Sequence, residues 1–500
     1  MTLPARADVV VVGTGNAALS SALVAAEAGA EVVVLEKAGP DEPGGNSWYT
    51  AGAFRVAHGG LEEVRPLLAD PEDPRLDATE LGPYPVEDFL DDLDRLTDGR
   101  CDRELATVLA EESLDGLRWL SGHGIEFELM YHRQAYPLGD GRQRFWGGLA
   151  IGVVGGGKAL VHEQLRAASE TGVTVIYDAP AARLLRSGGA ITGVELADGS
   201  VCEAGAVVLA CGGFQADPEM RVEHLGPAWR DAKLRGTAQN TGDGLRMALE
   251  AGAATAGDWG SCHAVAWDAA SPPTGDRELT NRFTKQSYPL GITVNLAGER
   301  FVDEGADFRN YTYASLGAAI IRQPGGVAFQ LFDGKTRPLL RTEEYEVPGI
   351  LRFEADDPRS LAVAAGIDPD GLMRTLAAFN AAAQPGPFEP TTKDGKATRG
   401  IDPPKSNWAL PLDEPPFVAV KVTCGITFTF GGLHVDVDGH VLGRDGEPLP
   451  GLYAAGEIAG GLFAGNYPGG SGLTAGTVFG RRAGATAALH AIDAHEGATT

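Results

Sequence analysis

The sequence predicts an α/β protein in which a nucleotide-binding domain, built from both ends of the chain, is interrupted by an α+β capping domain. An apolar run at residues 9–12 leads into a glycine turn, and a second glycine-containing strand lies at residues 451–456. Between them, after about residue 257, the composition shifts to aromatic residues, prolines and arginines. The predicted boundaries are 1–257 and 426–500 for the two parts of the nucleotide-binding domain and 258–425 for the cap.

The first strand, turn and helix are typical of a dinucleotide-binding unit. Residues 9–12 are four valines, and Gly13 and Gly15 form the turn before a helix that begins with Asn16, Ala17 and Ala18. The N–H groups at the start of such a helix bind a pyrophosphate. Glu36 ends the next apolar strand, about 20 residues beyond the turn, where a carboxylate binds a ribose hydroxyl.

The middle of the chain adds an insertion and a second αβ stretch. Residues 60–150 are polar and partly helical, with a period near 3.6 at residues 86–93. A helix then runs to about residue 170, a strand covers 173–176, and 191–200 form a hairpin with an Asp-Gly turn. The strand at 206–210 ends in a Cys-Gly-Gly segment, where the chain can approach a cofactor closely.

The two glycine-rich ends indicate one FAD, since a single dinucleotide turn with a distant Gly-Glu pair fits one long cofactor better than FAD with a nicotinamide. Glu457 is expected to bind the ribityl hydroxyls. A helix that begins after the turn at 468–472 is expected to face the flavin N1–C2=O edge, where its positive end stabilises negative charge. The other residues expected at the FAD are Lys37, Gly44, Gly45, Asn46, Ser47, Ala51, Gly52, Ala181, Ala210, Gly212, Gly213, Asp243, Gly456, Gly470, Ser471, Gly472 and Leu473.

Bulk properties exclude several classes of partner. The net charge of −27 at pH 7 argues against nucleic acid and anionic membranes. The five cysteines are scattered without a CxxC pair, so no disulfide framework and no metal or iron–sulfur site is expected. The chain enters its first strand without a secretory leader and has no run of 18 apolar residues. We therefore expect a cytoplasmic protein without membrane insertion.

Six ordered motifs support a closer identification: residues 13–15 with Glu36, 44–46, 208–214, 241–244, 298–304 and 450–457. As a set they resemble the flavoprotein family of fumarate reductases, succinate dehydrogenases and 3-ketosteroid dehydrogenases. Segments 304–313 and 466–474 look most like tricarballylate dehydrogenases. The resemblance covers nearly the whole chain. It implies a glutathione-reductase-like, Rossmann-like FAD domain with a cap, and an oxidoreductase that acts on CH–CH groups.

The resemblance also implies catalytic roles. Arg309 is similar to an arginine that exchanges a proton with a substrate carbon while hydride passes to flavin N5. A guanidinium stays charged in nearly every setting, so it needs a relay, yet residues 282–288 lack the family's glutamate. The alternative for Arg309 is a salt bridge to Asp307 or Asp303. Asn46 stands where succinate dehydrogenases carry a flavin-linked histidine, so the FAD is expected to be non-covalent.

His263 is similar in spacing to a histidine that binds a substrate carboxylate. The rest of the carboxylate clamp differs from that of fumarate reductases at residues 428–432 and 466–470, so fumarate itself is not expected. Four further candidates could act as hydroxyl donors in the site or could be core aromatics: Tyr288, Tyr311, Tyr313 and Tyr467. Two others could supply positive charge to the site or could belong to a solvated surface: Arg282 and Lys285.

Three functions remain open on this basis. The first is dehydrogenation of a small anionic polycarboxylate such as tricarballylate. The second is Δ1-dehydrogenation of a ketosteroid or other apolar enone, in a pocket lined by Phe428, Phe430, Tyr467 and Pro468. The third is a non-catalytic flavin-binding protein. For either enzyme, electrons pass to a separate acceptor, namely oxygen, a quinone or a redox protein.

Overall fold

The computed structural model describes residues 2–498, with side chains described to residue 493. Strands β1 to β22 are Arg6–Val12, Val32–Leu35, Ala53–Phe54, Thr79–Glu80, Phe127–Leu129, Tyr136–Pro137, Gln143–Arg144, Ile151–Val153, Thr174–Ile176, Ala181–Ser187, Ala190–Leu196, Val201–Leu209, Lys233–Leu234, Thr255–Ala256, Cys262–Asp268, Ile292–Val294, Val327–Phe332, Arg352–Ala355, Phe417–Thr429, Gly432–Leu433, His440–Leu442 and Pro448–Ala454. Helices α1 to α13 are Asn16–Glu27, Leu61–Val64, Val86–Leu96, Arg103–Gly122, Tyr131–Gln134, Gly156–Glu170, Pro218–Leu225, Asp243–Glu250, Arg309–Ile321, Thr342–Tyr345, Pro358–Ala365, Pro369–Ala382 and Ser471–Ala498.

The first sheet has a parallel core of strands in the order β9, β2, β1, β12 and β22, with β10, β11 and β21 antiparallel at its margins. Val208 of β12 pairs with Val11 on one side and Tyr453 on the other. Strands from both ends of the chain thus meet in one sheet, as the sequence predicts. The valines of β1 are almost fully buried, which fits a parallel sheet covered on both faces.

Helices α1 and α13 pack closely against each other on this sheet. Glycines in α13 allow the approach, because a Cβ on Gly480 would lie 2.6 Å from the Ala17 carbonyl oxygen. Asn16 joins the two helices, since its Nδ2 donates to the Leu473 carbonyl at 2.8 Å. The first turns of α1 and α13 are therefore fixed side by side.

The second sheet is centred on the 13-residue strand β19, which pairs with β13, β15, β17 and β18, and β16 extends it beyond β17. Its members come from residues 233–429, so β13 precedes the cap boundary predicted at residue 258. Helix α9 packs on β15 and β19. This arrangement places the first residue of α9 and the start of β15 near the C-terminal end of β19.

The insertion predicted at residues 60–150 contains α3, the 20-residue α4, the small sheet β4-β7-β6 and strand β5 of the small sheet β3-β8-β5. Arg95 of α3 connects it to the second sheet region through an ion pair with Asp307 at 2.8 Å. Helix α5 lies in the short connection between β5 and β6. The insertion thereby brings α5 to the same side of the molecule as α9.

The local predictions for the second αβ stretch are confirmed. Strand β9 covers 174–176, and β11 and β12 form the antiparallel hairpin around Asp198 and Gly199. In the part of the chain that the structure describes, no helix combines the length and apolar character that crossing a membrane requires.

Candidate active site

One long cavity follows the carboxyl ends of β1, β2 and β12 and continues to the second sheet. It is lined at one end by Glu36 and Asp243, in the middle by the turn before α1, and further on by Glu457 and the start of α13. Ligands of open α/β sheets bind at the carboxyl ends of the strands. The cavity is therefore the natural position for an extended nucleotide cofactor.

The ribose end is organised around the buried carboxylate of Glu36. Its Oε1 accepts the Ala38 N–H at 2.7 Å, and Thr14 donates its hydroxyl to Oε2. Burial raises the pKa of Glu36 above its usual value, against these hydrogen bonds. Lys37 lies next to it and is held by Asp243 at 2.8 Å. The carboxylate is thus preset at the end of β2, where the sequence predicts a ribose contact.

The pyrophosphate region is the turn between β1 and α1. Gly13 has a φ of 110°, and a Cβ there would lie 2.6 Å from the Ala210 carbonyl oxygen, so only glycine fits. The Asn16 N–H donates to the Ser47 hydroxyl at 2.9 Å and ties the turn to the loop after β2. Backbone and glycines rather than bulky side chains form this wall of the cavity.

Asn46 lies in the short 3₁₀ helix Gly45–Tyr49 and lines the cavity. Its Nδ2 donates to the Thr427 carbonyl at 2.6 Å, and its Oδ1 accepts the Thr237 N–H at 3.0 Å. Thr427 belongs to β19 of the second sheet, and Thr237 follows β13 of the same sheet. Asn46 therefore joins the two sheet regions and offers no nucleophile for a covalent flavin bond.

Glu457 follows β22 and lines the cavity beyond the pyrophosphate region. Its carboxylate accepts the Thr429 N–H at 2.9 Å and the amide groups of Gln215 and Asn240 at 3.3 and 3.2 Å. Burial raises its pKa to about 7. The position of Gly213 requires glycine, because a Cβ there would overlap the Glu457 carboxyl.

The turn before α13 closes the flavin end of the cavity. Gly470, Gly472 and Leu473 line it, and the fully buried Arg55 holds the turn through a 2.9 Å bond from Nε to the Gly469 carbonyl. Asp92 pairs with Arg55 at 3.1 Å. The sequence does not reveal the role of Arg55, because its contact with Gly469 joins residues more than 400 positions apart.

Most of the predicted cofactor residues line this cavity, and five others named with them do not. Ala18 packs into the core, Gly44 and Gly52 support the adjoining loop, Gly213 lies behind Glu457, and Ser471 caps its own turn through Pro468. The residues present fit an FAD, since an acid at the ribose, a glycine turn at a helix start and a second acid follow one another along the cavity.

Arg309 is the first residue of α9 and lines the cavity at its second-sheet end. Its Nη1 donates to Gln286 Oε1 at 2.6 Å and its Nη2 to Gln134 Oε1 at 3.1 Å, while Nε has no hydrogen-bond partner in the described structure. The alternative of a salt bridge is wrong, because Arg309 forms no ion pair among the described residues: Asp307 pairs with Arg95 and Lys393, and Asp303 accepts the Ser406 N–H. Neutral amides therefore orient the guanidinium.

His263, on β15, is 1% exposed and lines the same end of the cavity. Its ring stacks on Phe428 at 5.3 Å and meets the ring edge of Tyr467 at 4.8 Å. Neither ring nitrogen has a hydrogen-bond partner among the described residues. Burial, with a smaller effect of Arg235, holds the pKa of His263 well below its usual value. A neutral imidazole is thus available to donate one hydrogen bond into the cavity.

Two further arginines line this end that the sequence analysis did not single out. Arg235 is 9% exposed, and among the described residues its side chain is bound only by neutral groups, Asn281 at 2.8 Å and Thr427 at 2.9 Å. Arg133 comes from α5 in the insertion. Arg235 could have been found from the sequence, because it lies shortly before the 241–244 motif. No local pattern in the sequence marks Arg133.

The two residues expected to add positive charge to the site, Arg282 and Lys285, lie away from the cavity. Arg282 is exposed, and Lys285 is fully buried 3.7 Å from Asp268. Neither residue lines the cavity.

The four tyrosine candidates separate into two pairs. Tyr467 and Tyr313 line the cavity, and their hydroxyls are 2.7 Å apart. Tyr288 does not line it: the residue is 2% exposed, and its hydroxyl bonds to Thr312. Tyr311 packs instead against the guanidinium of Arg55, with 5.0 Å between guanidinium carbon and ring centre. Tyr288 is therefore not in contact with this cavity, and its predicted catalytic role has no support from its position.

Comparison with known proteins identifies the family. The model of the FAD binding domain family matches residues 8–473. A probable fumarate reductase of Shewanella frigidimarina is 29% identical over 496 residues, which cover 97% of this chain and 75% of that protein. The 4-oxocyclohexanecarboxylate 2-dehydrogenase of Sinomonas cyclohexanicum is 32% identical over 563 residues, which cover 98% and 94%.

Solved structures agree with this assignment. The open conformation of a flavocytochrome c3 fumarate reductase superposes with a TM-score of 0.70 at 26% identity, covering 98% of this chain and 79% of that one. A 3-ketosteroid-Δ4-(5α)-dehydrogenase from Rhodococcus jostii, in complex with 4-androstene-3,17-dione, gives 0.70 at 25% identity and 98% coverage of both chains. The chain belongs to the FAD binding domain family, among the fumarate reductase-type flavoproteins, and is an FAD-dependent oxidoreductase acting on C=C or CH–CH bonds.

Proposed function

We propose that the protein is a dehydrogenase or reductase of a small substrate that carries carboxylates, with a polycarboxylate such as tricarballylate as the reference compound. The observation that carries the proposal is the charge at the second-sheet end of the cavity. Arg133, Arg235, Arg309 and His263 line this end. Among the described residues, the carboxylates that line the cavity are Glu36, Asp243 and Glu457, which are expected at the FAD, and Glu42, which lies in the loop between Lys37 and Gly44.

A buried arginine without a carboxylate partner is costly unless an anion neutralises it. Arg235 and Arg309 are bonded to amides and a hydroxyl rather than to acids. A substrate carboxylate would supply the missing charge, and the one N–H of the neutral His263 ring would donate to it. This supports an anionic substrate over a neutral one.

FAD, when bound, supplies hydride transfer to or from one substrate carbon. The chain must hold the neighbouring carbon where its proton can move. In the proposal Arg309 does this through Nε, the guanidinium nitrogen that its two glutamine partners leave free. For reduction this N–H donates the proton to the carbon, and for dehydrogenation the side chain must first lose a proton to water before it can take up the proton of the carbon. Gln286 and Gln134 accept hydrogen bonds but cannot take up a proton, so they orient Arg309 without serving as the relay.

A second candidate is an oxo acid, a substrate with both a ketone and a carboxylate. The hydroxyl pair of Tyr313 and Tyr467 supports it, since a tyrosine hydroxyl held by its neighbour can donate to a carbonyl oxygen. A relative's name, 4-oxocyclohexanecarboxylate 2-dehydrogenase, describes such a substrate. Dehydrogenation of a neutral ketosteroid is less well supported: Phe428, Phe430 and Tyr467 line the cavity, but the three arginines would face an uncharged ligand.

The experiment that tests the proposal is the substitution His263→Ala. We expect the KM for tricarballylate to rise by the equivalent of about 1.5–3 kcal/mol, the range for a hydrogen bond to a charged group, with FAD retained. KM should also rise with ionic strength. His490→Ala, an exposed histidine on α13, is the control. A harmless His263→Ala change with a salt-independent KM would favour the neutral enone instead.

A further inference from the structure

Helix α5 brings side chains into the cavity from the insertion rather than from the second sheet. Arg133 and Gln134, its last two residues, both line the cavity. Tyr131, at its start, bonds the Thr79 side chain through its hydroxyl at 2.7 Å. One end of this short helix thus belongs to the substrate region, while the other anchors it in the insertion.

Three consecutive residues connect α5 to α9 and α10. Gln134 accepts a hydrogen bond from Arg309 at 3.1 Å, and the His132 carbonyl accepts one from Arg341 at 3.2 Å. Between these contacts, Arg133 Nη2 lies 3.4 Å from Glu344 Oε1. Arg133 therefore lines the cavity next to Gln134, the residue that accepts a hydrogen bond from Arg309.

The charge of Arg133 is poorly matched by its partner. A strong charge-assisted hydrogen bond is about 2.7–2.9 Å long, whereas this contact is 3.4 Å. The other oxygen of Glu344 is used by the backbone N–H of Gln286 at 2.8 Å. Glu344 is fully buried, while 17% of the Arg133 side chain is accessible. Arg133 can thus bind an anion in the cavity while Glu344 stays in place.

The surroundings add to the excess of positive charge. Arg341 lies close enough to Arg309 that its pKa falls to about 9, mainly through burial and secondarily through that neighbour. Arg235, whose pKa is lowered by burial, is also opposed by the charge of Arg133. An anionic group in the cavity between Arg133, Arg235 and Arg309, the arginines that line it, would relieve their mutual repulsion.

We propose that Arg133 binds a second carboxylate of the substrate, so that the enzyme selects dicarboxylates and tricarboxylates over monocarboxylates. This inference rests on the proposed anionic substrate. In it, His263 and Arg235 receive one carboxylate and Arg133 another, with the reacting carbons between them near Arg309. The insertion then selects substrates by the number of carboxylates that they carry.

The test uses the oxidised holoenzyme and follows the flavin absorbance as tricarballylate, succinate or butyrate is added. For Arg133→Ala we expect the Kd of tricarballylate and succinate to rise at least about tenfold and that of butyrate to change less than about threefold. Arg142→Ala is the control, since Arg142 lies in the same insertion but is exposed and bound to Asp140 and Glu80. Its Kd values should match those of the wild type.

The outcomes separate this inference from the proposed function. Equal losses for butyrate and succinate, or no loss for either, would overturn the role of Arg133 while carboxylate binding by the wild type still stands. A wild-type protein that binds none of the three acids would overturn the proposed function itself. If Arg133→Ala does not retain FAD, Arg133→Gln, which removes the charge but keeps a long polar side chain, provides the same comparison, and loss of FAD from both variants would make Arg133 structural and refute the proposal.

Discussion

At the scale of single residues, Arg309 is the group on which the proposed proton transfer depends. Its planar guanidinium is held at two nitrogens by Gln286 and Gln134, a geometry that a lysine cannot reproduce. We expect Arg309→Lys to retain FAD but to reduce kcat by about 10² or more, the usual range for a positioned proton-transfer group. Stopped-flow spectroscopy of flavin reduction by the substrate measures the rate of this step.

Arg322→Lys is the matched control, because Arg322 caps the other end of α9 and is exposed. Its kcat should equal that of the wild type. Nearly normal turnover of Arg309→Lys would assign the proton transfer to another group, and Tyr467 would be the first to examine.

Glu457 gives a prediction about pH. Its folded pKa of about 7 lies above its usual value of 4.5, so between these values the folded chain keeps a proton that the unfolded chain has lost. The contribution of Glu457 to the free energy of unfolding therefore falls as pH rises from about 4.5 to about 7. Glu457→Gln removes this loss, and we expect the variant apoprotein to gain up to about 3 kcal/mol over the wild type at pH 8.

Urea unfolding of the apoprotein at pH 4.5 and at pH 8 measures this difference. Little of the gain should appear at pH 4.5, and the exposed Glu447→Gln should behave alike at both values. A gain of the same size at pH 4.5 and pH 8 would show that the carboxylate is not the cause.

At the scale of elements, the 3₁₀ helix Gly45–Tyr49 determines how the cofactor is held. Asn46 stands where the resemblance to succinate dehydrogenases implies a flavin-linked histidine, and both its amide atoms are bound to backbone. We expect acid precipitation to release all the flavin into the supernatant, where chromatography should identify FAD rather than FMN. Yellow colour that remains in the washed pellet would contradict this.

The elements also separate what sequence reasoning can and cannot reach. The β1 turn, Glu36, the hairpin at Asp198 and Glu457 are local patterns of strand, turn and acid, and they were predictable. Arg133 and Arg55 act through contacts with residues hundreds of positions away, namely Glu344 and Gly469. Tyr288 shows the opposite case, since the sequence allows a hydroxyl donor or a core aromatic there and the structure packs the residue into the core.

At the scale of the whole molecule, the overall charge and the charge of the site have opposite signs. The chain carries −27 at pH 7, yet the second-sheet end of its cavity is lined by three arginines. The negative surface repels an anionic substrate at long range, so selectivity for it must arise from the buried groups. These groups come from both sides of the cavity, with Arg133 from the insertion and Arg235, His263 and Arg309 from the second-sheet region.

The central claim is that this flavoenzyme acts on the CH–CH bond of a small carboxylate. Anaerobic titration of the holoenzyme with tricarballylate, 4-oxocyclohexanecarboxylate and 4-androstene-3,17-dione, read at the flavin absorption band, tests it most directly. We expect at least one of the two acids to bleach the flavin and the neutral steroid to leave it oxidised. Bleaching by the steroid, with no response to either acid, would contradict the claim.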